Sequence, residues 1–245
     1  MAGSNREDII YALRTAHQNQ MQLNLMAARA GVDPLQFRLE HLKDKRMINV
    51  LQAAAKKFGW QPIKTPSGRG YGIACGIDAG KYVAFMAEVE VDKGSGSVAV
   101  KRVVCAQDMG LCVNPQGATI QMEGAMTMGL GYALSEEIRF SGGTIHDSNF
   151  DTYDIPRFSW LPKIETVIID NVDSASQGGG EPAIITMGGA IANAIFDACG
   201  GASSASPTRS ISMDCRRNRR GRPWRNSLSK PRPDACAACA SFTAR

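Results

Sequence analysis

The stretch Val83–Cys105, which reads VAFMAEVEVDKGSGSVAVKRVVC, decides the fold class, because two strand-like segments flank a turn sequence. In its first half, apolar residues occupy every second position, and this period of two predicts a strand with one buried face. Those positions are Val83, Phe85, Ala87, Val89 and Val91. Asp92–Ser97 (DKGSGS) predicts a turn and Val98–Cys105 a second strand, so the whole stretch predicts a β-hairpin.

Helices are expected before the hairpin. Asp33 and Pro34 suit an N-cap and a first helical position, and they open a predicted helix over Leu35–Leu42. A second predicted helix, Arg46–Trp60, has apolar residues at spacings of three and four. Residues 61–81, which are rich in glycine, are predicted to form a loop.

Apolar segments also follow the hairpin. Ala118–Glu136 and Ala183–Cys199 predict two helices, and both are expected to be buried because apolar residues dominate them. Ile164–Val172, apolar on both faces, predicts a strand in the middle of a sheet. The expected fold class is therefore α/β (α+β), a mixed sheet with packed helices.

The net charge of +5 comes from the C-terminal tail. Residues 202–245 are rich in arginine and lack apolar periodicity, which predicts disorder, whereas the preceding residues are weakly acidic and give no reason to expect nucleic acid as a partner. No run of about 18 apolar residues is present, so no membrane span is expected. The first residues, MAGSNRED, do not resemble a secretory signal, and a cytoplasmic location is therefore expected.

Histidines and cysteines do not form a metal-binding pattern. His17, His41 and His146 are far apart, and Cys236 with Cys239 form a single CxxC, whereas a zinc site needs a second pair or added histidines. Four other cysteines are expected to be free thiols: Cys75, Cys105, Cys112 and Cys199. No metal bound by protein side chains is therefore expected.

The glycine-rich segment Gly178–Gly180, followed by Glu181 and Pro182, is the candidate site. Glycines let a backbone approach a ligand closely, and their amides can bind an anion. Pro182 suits the first position of the predicted helix, so Glu181 would lie at the positive end of the helix dipole, which favours the ionised carboxylate. Such a carboxylate facing a cavity can act as a general base, and the alternative is that Glu181 only caps the helix.

Four blocks of sequence, in order along the chain, resemble the molybdenum hydroxylases, the xanthine dehydrogenase and aldehyde oxidase family. They are AGVDPLQFRLEHL with VLQAAAKKFGW (Ala30–Leu42, Val50–Trp60), Asp108 with Val113–Pro115 and Ile120–Ala125, Asn149–Arg157 with Leu161-Pro162, and GGGEPAI (Gly178–Ile184). The resemblance covers residues from about 5 to about 201, and four ordered blocks are more specific than any single motif.

The resemblance implies a role for each candidate residue. Glu181 corresponds to the glutamate beside the molybdenum and would act as the base in hydroxylation. Gln121 corresponds to a glutamine that hydrogen-bonds the cofactor, and Gly124 and Ala125 belong to the same cofactor-binding helix. Gly178–Gly180 would pack close to the pterin. In this family the pterin holds the metal, so no histidine or cysteine cluster is required.

The resemblance also implies the assembly. Residues 1–60 would be the helical linker segment of the molybdopterin-binding subunit, 61–201 its C-terminal molybdopterin-binding domain, and 202–245 a basic tail. The expected cofactor is molybdenum-molybdopterin in its cytosine dinucleotide form, with iron–sulfur clusters in a small partner subunit accepting the electrons. The family's large subunit is several times longer, so its upstream half is a further expected partner, and this chain alone is expected to be inactive.

The expected reaction hydroxylates an aldehyde or an aromatic N-heterocycle with oxygen derived from water. One alternative is a truncated, non-catalytic family member that serves as a folded scaffold or interaction fragment. A second alternative, a nucleic-acid-binding protein, depends only on the basic tail. Two origins are open for the tail: a frameshifted reading of the family's closing segment, or a natural extension that contacts nucleic acid or a membrane.

Overall fold

A four-stranded sheet with helices on both of its faces is the centre of the fold. The structure is a computed structural model that describes residues 20–61 and 68–199. Its elements, in chain order, are α1 (residues 20–30), α2 (Pro34–His41), α3 (Lys45–Phe58), β1 (Arg69–Asp78), β2 (Lys81–Val91), β3 (Val98–Asp108), α4 (Pro115–Leu134), β4 (Phe140–Ser141), β5 (Thr144–Ile145), β6 (Lys163–Ile168), α5 (Pro182–Ile185) and α6 (Met187–Ala198). The predicted α+β class, with a mixed sheet and packed helices, is confirmed.

The strands lie in the order β1-β2-β3-β6. The pairs β1–β2 and β2–β3 are antiparallel, whereas β6 is parallel to β3. The predicted hairpin is confirmed as β2 and β3, with a shift of register between Glu88 and Val89. A parallel neighbour needs a crossover connection, and α4 supplies it, so α4 begins soon after the end of β3.

Caps in the sequence define the helices before the sheet. Asp33 and Asp44 each accept hydrogen bonds from two backbone N–H groups in the first turns of α2 and α3. Gly59, in the left-handed conformation, ends α3. Both helices predicted before the hairpin are therefore confirmed, within one or two residues at their ends.

The prediction of a loop over residues 61–81 is wrong, because β1 lies within this range. Gly70 and Gly72 weaken the sequence signal for a strand, since glycine has no side chain to pack in a sheet. In the structure these glycines let α6 lie directly on β1. A Cβ at Gly72 would overlap the carbonyl oxygen of Ala190, and one at Gly70 would overlap that of Ala194.

The third predicted strand has a different place in the sheet. The prediction that Ile164–Val172 is a central strand is wrong, because β6 is an edge strand and is shorter. Both of its faces still pack on apolar residues. Ile164 and Ile168 contact the cluster formed with α4, and Val167 contacts the cluster formed with α3. Helices on both faces therefore explain an apolar sequence at an edge.

Two apolar clusters flank the sheet. On one face, α3 packs against β2 and β3 with residues such as Leu51, and on the other face α4, α5 and α6 pack with residues such as Met126 and Ile191. On β2, Phe85 points toward α4, α5 and α6 and Met86 points toward α3, and both are fully buried. The first half of β2 is thus buried on two faces, not on one as its alternation predicts.

The two predicted C-terminal helices are present with changes. Ala183–Cys199 is not one helix, because the chain breaks at Thr186 between α5 and α6. Ala118–Glu136 is confirmed as α4, but the expectation that it is buried is wrong for its outer side. Three apolar residues there are more than half exposed: Ile120, Met128 and Tyr132.

No helix within residues 20–61 and 68–199 is long and apolar enough to cross a bilayer. The tail 202–245, with Cys236 and Cys239, and the first residues, with His17, lie outside the described residues. The predictions made for them therefore stay predictions.

Candidate functional site

Two loops and one helix surround a cavity of about 220 Å³ near the end of β3. The loop after β3 supplies Met109 and Val113, and α4 supplies Gln121 from its second turn. The opposite wall is the glycine-rich segment, with Gly179 and Gly180. Ligand sites often lie at the carboxyl end of a strand, between loops that carry a few polar groups.

The start of α4 is fixed by its cap. The Asn114 side chain accepts a hydrogen bond from the Gly117 N–H at 2.9 Å, and Pro115 occupies the first helical position. This cap places Ala118 and Gln121 along the cavity. Gln121 is exposed, so its amide group is accessible to a ligand.

The chain turns sharply at Gly110, directly after β3. Its φ of +75° lies in the left-handed region, and a Cβ there would overlap the carbonyl oxygen of Ala175. The Asp108 carboxylate accepts hydrogen bonds from the Gly110 N–H at 2.9 Å and from Asn171 Nδ2 at 2.9 Å. One buried carboxylate therefore joins the loop after β3 to the segment that carries the glycines.

Arg46 on α3 compensates the charge of Asp108, which is only 1% exposed. Its guanidinium donates from Nε to Oδ2 at 2.8 Å and from Nη2 to Oδ1 at 2.7 Å. Burial raises the pKa of Asp108, but the hydrogen bonds from Arg46, Gly110 and Asn171 lower it by more, so the pKa lies below its usual value. Asp108 is therefore ionised at neutral pH and acts as a hydrogen-bond acceptor that holds two loops together.

The neighbours of each glycine determine how closely the glycine-rich segment packs. A Cβ at Gly179 would lie 2.8 Å from Met109 Sδ, and a Cβ at Gly180 would lie 3.3 Å from Gln121 Oε1. Gly178 has open space where a Cβ would be. A side chain at position 179 would displace the Met109 side chain, and one at position 180 would press on the Gln121 amide, so glycine lets the segment lie close to both residues.

The structure brings three of the predicted cofactor-binding residues together at the cavity, namely Gln121, Gly179 and Gly180. Gly124 lies on the exposed side of α4, with no atom within 4 Å of its Cβ position. Ala125 points into the core, is 1% exposed and does not line the cavity. The cofactor contacts predicted for all of these residues stay predictions.

Glu181 follows Gly180, but its side chain is exposed and does not line the cavity. It occupies the N-cap position of α5 and makes no capping hydrogen bond. Because α5 has only four residues, the dipole next to Glu181 is that of a single turn and not that of the long helix expected from the sequence. Glu181 thus makes no hydrogen bond that would support the alternative role as a helix cap, and its role as a base stays a prediction.

Sequence reasoning missed Arg46, Gln107 and Asn171, which hold the walls of the cavity in place. Of these three residues, only Gln107 shows a sign of its role in the sequence, since it is a polar residue directly after the apolar run of β3. Asn171 and Asp108 are 63 residues apart, so no local pattern could reveal their contact.

Among the described residues, no group of three or more His, Cys, Asp or Glu side chains could hold a metal ion. Cys75, Cys105 and Cys112 are free thiols, as predicted, and burial raises the pKa of Cys75 and Cys105. Among the residues that line the cavity, the exposed amide of Gln121 and the backbone of Gly179 and Gly180 are groups that could contact a cofactor.

Comparison with known proteins assigns the chain to a family. The sequence profile of the molybdopterin cofactor-binding domain matches residues 14–162. A subunit of the nicotinate dehydrogenase of Pseudomonas putida is 33% identical over 78% of this chain and 17% of that protein. The beta chain of the isoquinoline 1-oxidoreductase of Brevundimonas diminuta is 33% identical over 69% of this chain and 22% of that protein. The chain thus spans about a fifth of the length of these curated relatives.

Solved structures share the fold. The aldehyde oxidoreductase of Desulfovibrio desulfuricans superposes with a TM-score of 0.67 over 77% of this chain and 39% of that chain, at 14% identity. At that identity the likeness shows the fold alone, whereas the sequence matches show the family. The chain belongs to the molybdopterin-binding large-subunit family of the molybdenum hydroxylases, the family of the xanthine dehydrogenases and aldehyde oxidases.

Proposed function

We propose that this chain forms one wall of the molybdenum-molybdopterin site of a hydroxylase, an oxidoreductase that adds oxygen derived from water to its substrate. The observation that carries the proposal is the close approach of Gln121 and Gly180 across the cavity, with 3.3 Å between Gln121 Oε1 and the Cβ position of Gly180. An amide side chain that both donates and accepts lies there beside the backbone of a glycine loop. Such groups can bind the polar edge of a pterin without a charged residue.

The residues present fit part of such a cofactor. The cavity of about 220 Å³ is smaller than the roughly 300–1,000 Å³ typical of sites that enclose a small-molecule ligand. Gly178 and Gly124, each close in sequence to a lining residue, leave open space where a side chain would be. The described residues therefore supply part of a cofactor site, and we propose that another protein surface completes it.

When bound, the molybdenum cofactor supplies the redox chemistry and takes two electrons from the substrate as it is hydroxylated. The residues of this chain bind and position. Gln121 orients the cofactor through its amide, and Gly179 and Gly180 allow the backbone to approach it. Glu181 takes up the proton released in the hydroxylation, because it directly follows Gly180 at the cavity and its exposed carboxylate makes no capping hydrogen bond.

The proposed substrate is an aromatic N-heterocycle or an aldehyde. The names of the two sequence relatives specify nicotinate and isoquinoline, both N-heterocycles, and the structural relative is an aldehyde oxidoreductase. We further propose that the pterin is in its cytosine dinucleotide form and that the electrons pass to iron–sulfur clusters in a partner chain. Both points are supported by the family resemblance.

The exposed side of α4 supports the upstream half of the large subunit as a partner. The helix contains one charged residue, Glu123, and exposes Ile120, Met128 and Tyr132. Large apolar side chains exposed together on one helix often mark a surface that another protein segment covers. Because this chain spans only about a fifth of the length of the curated relatives, we propose that the remainder of such a protein covers α4 and completes the cavity.

Metal analysis of the assembled protein tests the proposal. The chain is coexpressed with the upstream part of the related nicotinate dehydrogenase protein, in a host that makes the cofactor. We expect about one molybdenum and one pterin per complex, dye reduction that depends on nicotinate, and neither group in the chain alone. A stable complex that contains no molybdenum would favour the alternative of a non-catalytic scaffold.

Other expectations from the sequence stay predictions. They are the domain boundaries after residues 60 and 201, the cytoplasmic location and the origin of the tail 202–245. The nucleic-acid alternative depends on that tail, which lies outside the described residues.

A further inference from the structure

The segment between β6 and α5 contains no helix or strand, yet it carries Gly178–Gly180. Such a segment needs hydrogen bonds to keep a single position, because ordering each residue has an entropic cost. These bonds converge on the end of β3. The Ile169 N–H donates to the Gln107 carbonyl oxygen at 2.9 Å, and the Gln177 N–H donates to that of Met109 at 2.8 Å.

Gln107 makes a second contact with this segment, through its side chain. Its Nε2 donates to the Gly179 carbonyl oxygen at 3.0 Å, and the side chain is fully buried. Neighbouring residues of a strand point to opposite faces of the sheet. Gln107 and Asp108 therefore hold the segment from two sides, Gln107 at Gly179 and Asp108 at Asn171.

The other half of the Gln107 amide has no partner. Its Oε1 is buried and accepts no hydrogen bond from the described residues. An unpaired buried polar atom destabilises the folded protein, and a methionine of similar size would avoid this cost. The bond from Nε2 to Gly179 is therefore the interaction that explains an amide at this buried position.

We propose that Gln107 is a positioning residue that sets the distance between the glycine loop and Gln121 across the cavity. The loop also contacts the residue after β3, since the Gln177 N–H donates to the Met109 carbonyl oxygen and Met109 Sδ lies 2.8 Å from the position that a Cβ at Gly179 would occupy. The hydrogen bond from Gln107 prevents the loop from moving away. Gly180 is thereby kept at its close approach to Gln121. The inference rests on the proposed function, because it assumes that the glycine loop contacts the cofactor.

Hydrogen exchange of the full chain, in complex with the upstream half, tests this role. Gln107→Met keeps the volume of the side chain and removes the donor. In this variant the amides of residues 174–181 should exchange at least ten times faster than in the wild type, while β1 and β2 keep their rates. Gln107→Asn, whose amide is one methylene shorter and cannot reach Gly179, should act in the same direction and serves if the methionine variant does not fold.

Asn193→Leu is the matched control, because it removes another buried amide. Asn193 Nδ2 donates to the carbonyl oxygens of Ile73 at 2.8 Å and Gln20 at 3.2 Å, on the β1 side of the sheet. This variant should speed exchange in α1 and β1 and leave residues 174–181 unchanged. A general loss of stability and a local loss of position are thereby separated.

Kinetics provides a readout that a purely structural role would not produce. With nicotinate as the probe substrate, Gln107→Met should lower kcat about ten-fold and leave KM within two-fold, because the loop is placed against the cofactor. Wild-type exchange rates for residues 174–181 in both Gln107 variants would overturn the inference. A complex without molybdenum would instead overturn the proposed function, since the exchange result does not depend on the cofactor.

Discussion

Arg139 closes the β4–β5 hairpin by donating to the Asp147 carboxylate, from its backbone N–H and from its guanidinium, with Nε 2.9 Å from Oδ2. The Asp147 side chain is fully buried, whereas that of Arg139 is 33% exposed. The hydrogen bonds from Arg139 lower the pKa of Asp147 from 3.8 to about 2, although burial acts in the opposite direction. The hairpin therefore contains a pH-dependent contact.

The stability that Asp147 provides should disappear in acid. Because the pKa is lower in the folded protein than in the unfolded chain, the ionised carboxylate stabilises the fold above about pH 4, and this contribution is lost as the pH falls toward about 2. At neutral pH, Asp147→Asn should lower the free energy of unfolding by about 1–2 kcal/mol, a value reduced for the exposure of Arg139. Urea denaturation at several pH values measures the difference between the two proteins.

An exposed ion pair, Glu90 with Lys101, provides a control for the urea denaturation of the Asp147 variant. Glu90→Gln removes the partner of Lys101, both about half exposed, and should leave the free energy of unfolding nearly unchanged, because exposed ion pairs contribute little. For Asp147→Asn, an equal difference from the wild type at pH 7 and at about pH 2 would contradict the assignment.

Asp108 and Arg46 should show strong energetic coupling. Asp108→Asn leaves the guanidinium with a neutral partner and weakens the bonds to Gly110 and Asn171, so the free energy of unfolding should fall by about 2 kcal/mol. Arg46→Met should cost a similar amount. If the pair acts as one unit, the loss in free energy of unfolding in the double variant is smaller than the sum of the two single losses, by at least about 1 kcal/mol. Strict additivity in a urea denaturation series would contradict it.

Local sequence patterns were sufficient for some elements of the fold and not for others. The alternation from Val83 to Val91 and the caps at Asp33 and Asp44 act within a few residues, so the hairpin and α3 could be predicted. The strand β1 could not be predicted, because Gly70 and Gly72 are needed for the close packing of α6 on β1. Helix α6 follows more than a hundred residues later in the chain. Patterns of single elements do not contain that information.

The candidate site divides in the same way. Gly179 and Gly180 could be found because three consecutive glycines before a helix start are a local signal. Their positions depend on Gln107 and Met109, which are about 70 residues earlier and carry no motif for such a contact. The break at Thr186 was also not predictable, since the residues on both sides of it have the apolar pattern of one helix.

Gly72→Ala should strongly destabilise the protein. Its Cβ would overlap the Ala190 carbonyl oxygen, and a backbone atom in a packed helix cannot move away without displacing α6 from β1. We expect a loss of about 3 kcal/mol or more in free energy of unfolding, or recovery only in the insoluble fraction. Gly94→Ala, in the exposed turn between β2 and β3, should stay within about 0.5 kcal/mol of the wild type. Similar unfolding midpoints for the two variants would refute the packing argument.

The exposed side of α4 should make the chain alone associate. Ile120, Met128 and Tyr132 leave an apolar surface that a partner is expected to cover. Light scattering of the isolated chain should show oligomers or aggregates, and coexpression with the upstream half should remove them. Met128→Glu with Tyr132→Glu should reduce self-association and weaken the complex, whereas Ile77→Glu, at an exposed residue of β1, should do neither. A monodisperse monomer with little binding of an apolar dye would refute this expectation.

Glu181→Gln separates the catalytic role from a structural one. The substitution keeps the volume of the side chain and removes the proton acceptor, so turnover of the assembled enzyme should fall by about 10²–10⁴-fold. Molybdenum content and KM should change little, because Glu181 is not proposed to bind the metal or to hold the substrate. Since Glu181 makes no capping hydrogen bond, the free energy of unfolding should change by less than about 0.5 kcal/mol. Asp173→Asn, at an exposed acid of the same segment, is the matched control and should leave turnover unchanged. Turnover near the wild-type value in Glu181→Gln, with full molybdenum content, would exclude Glu181 as the base.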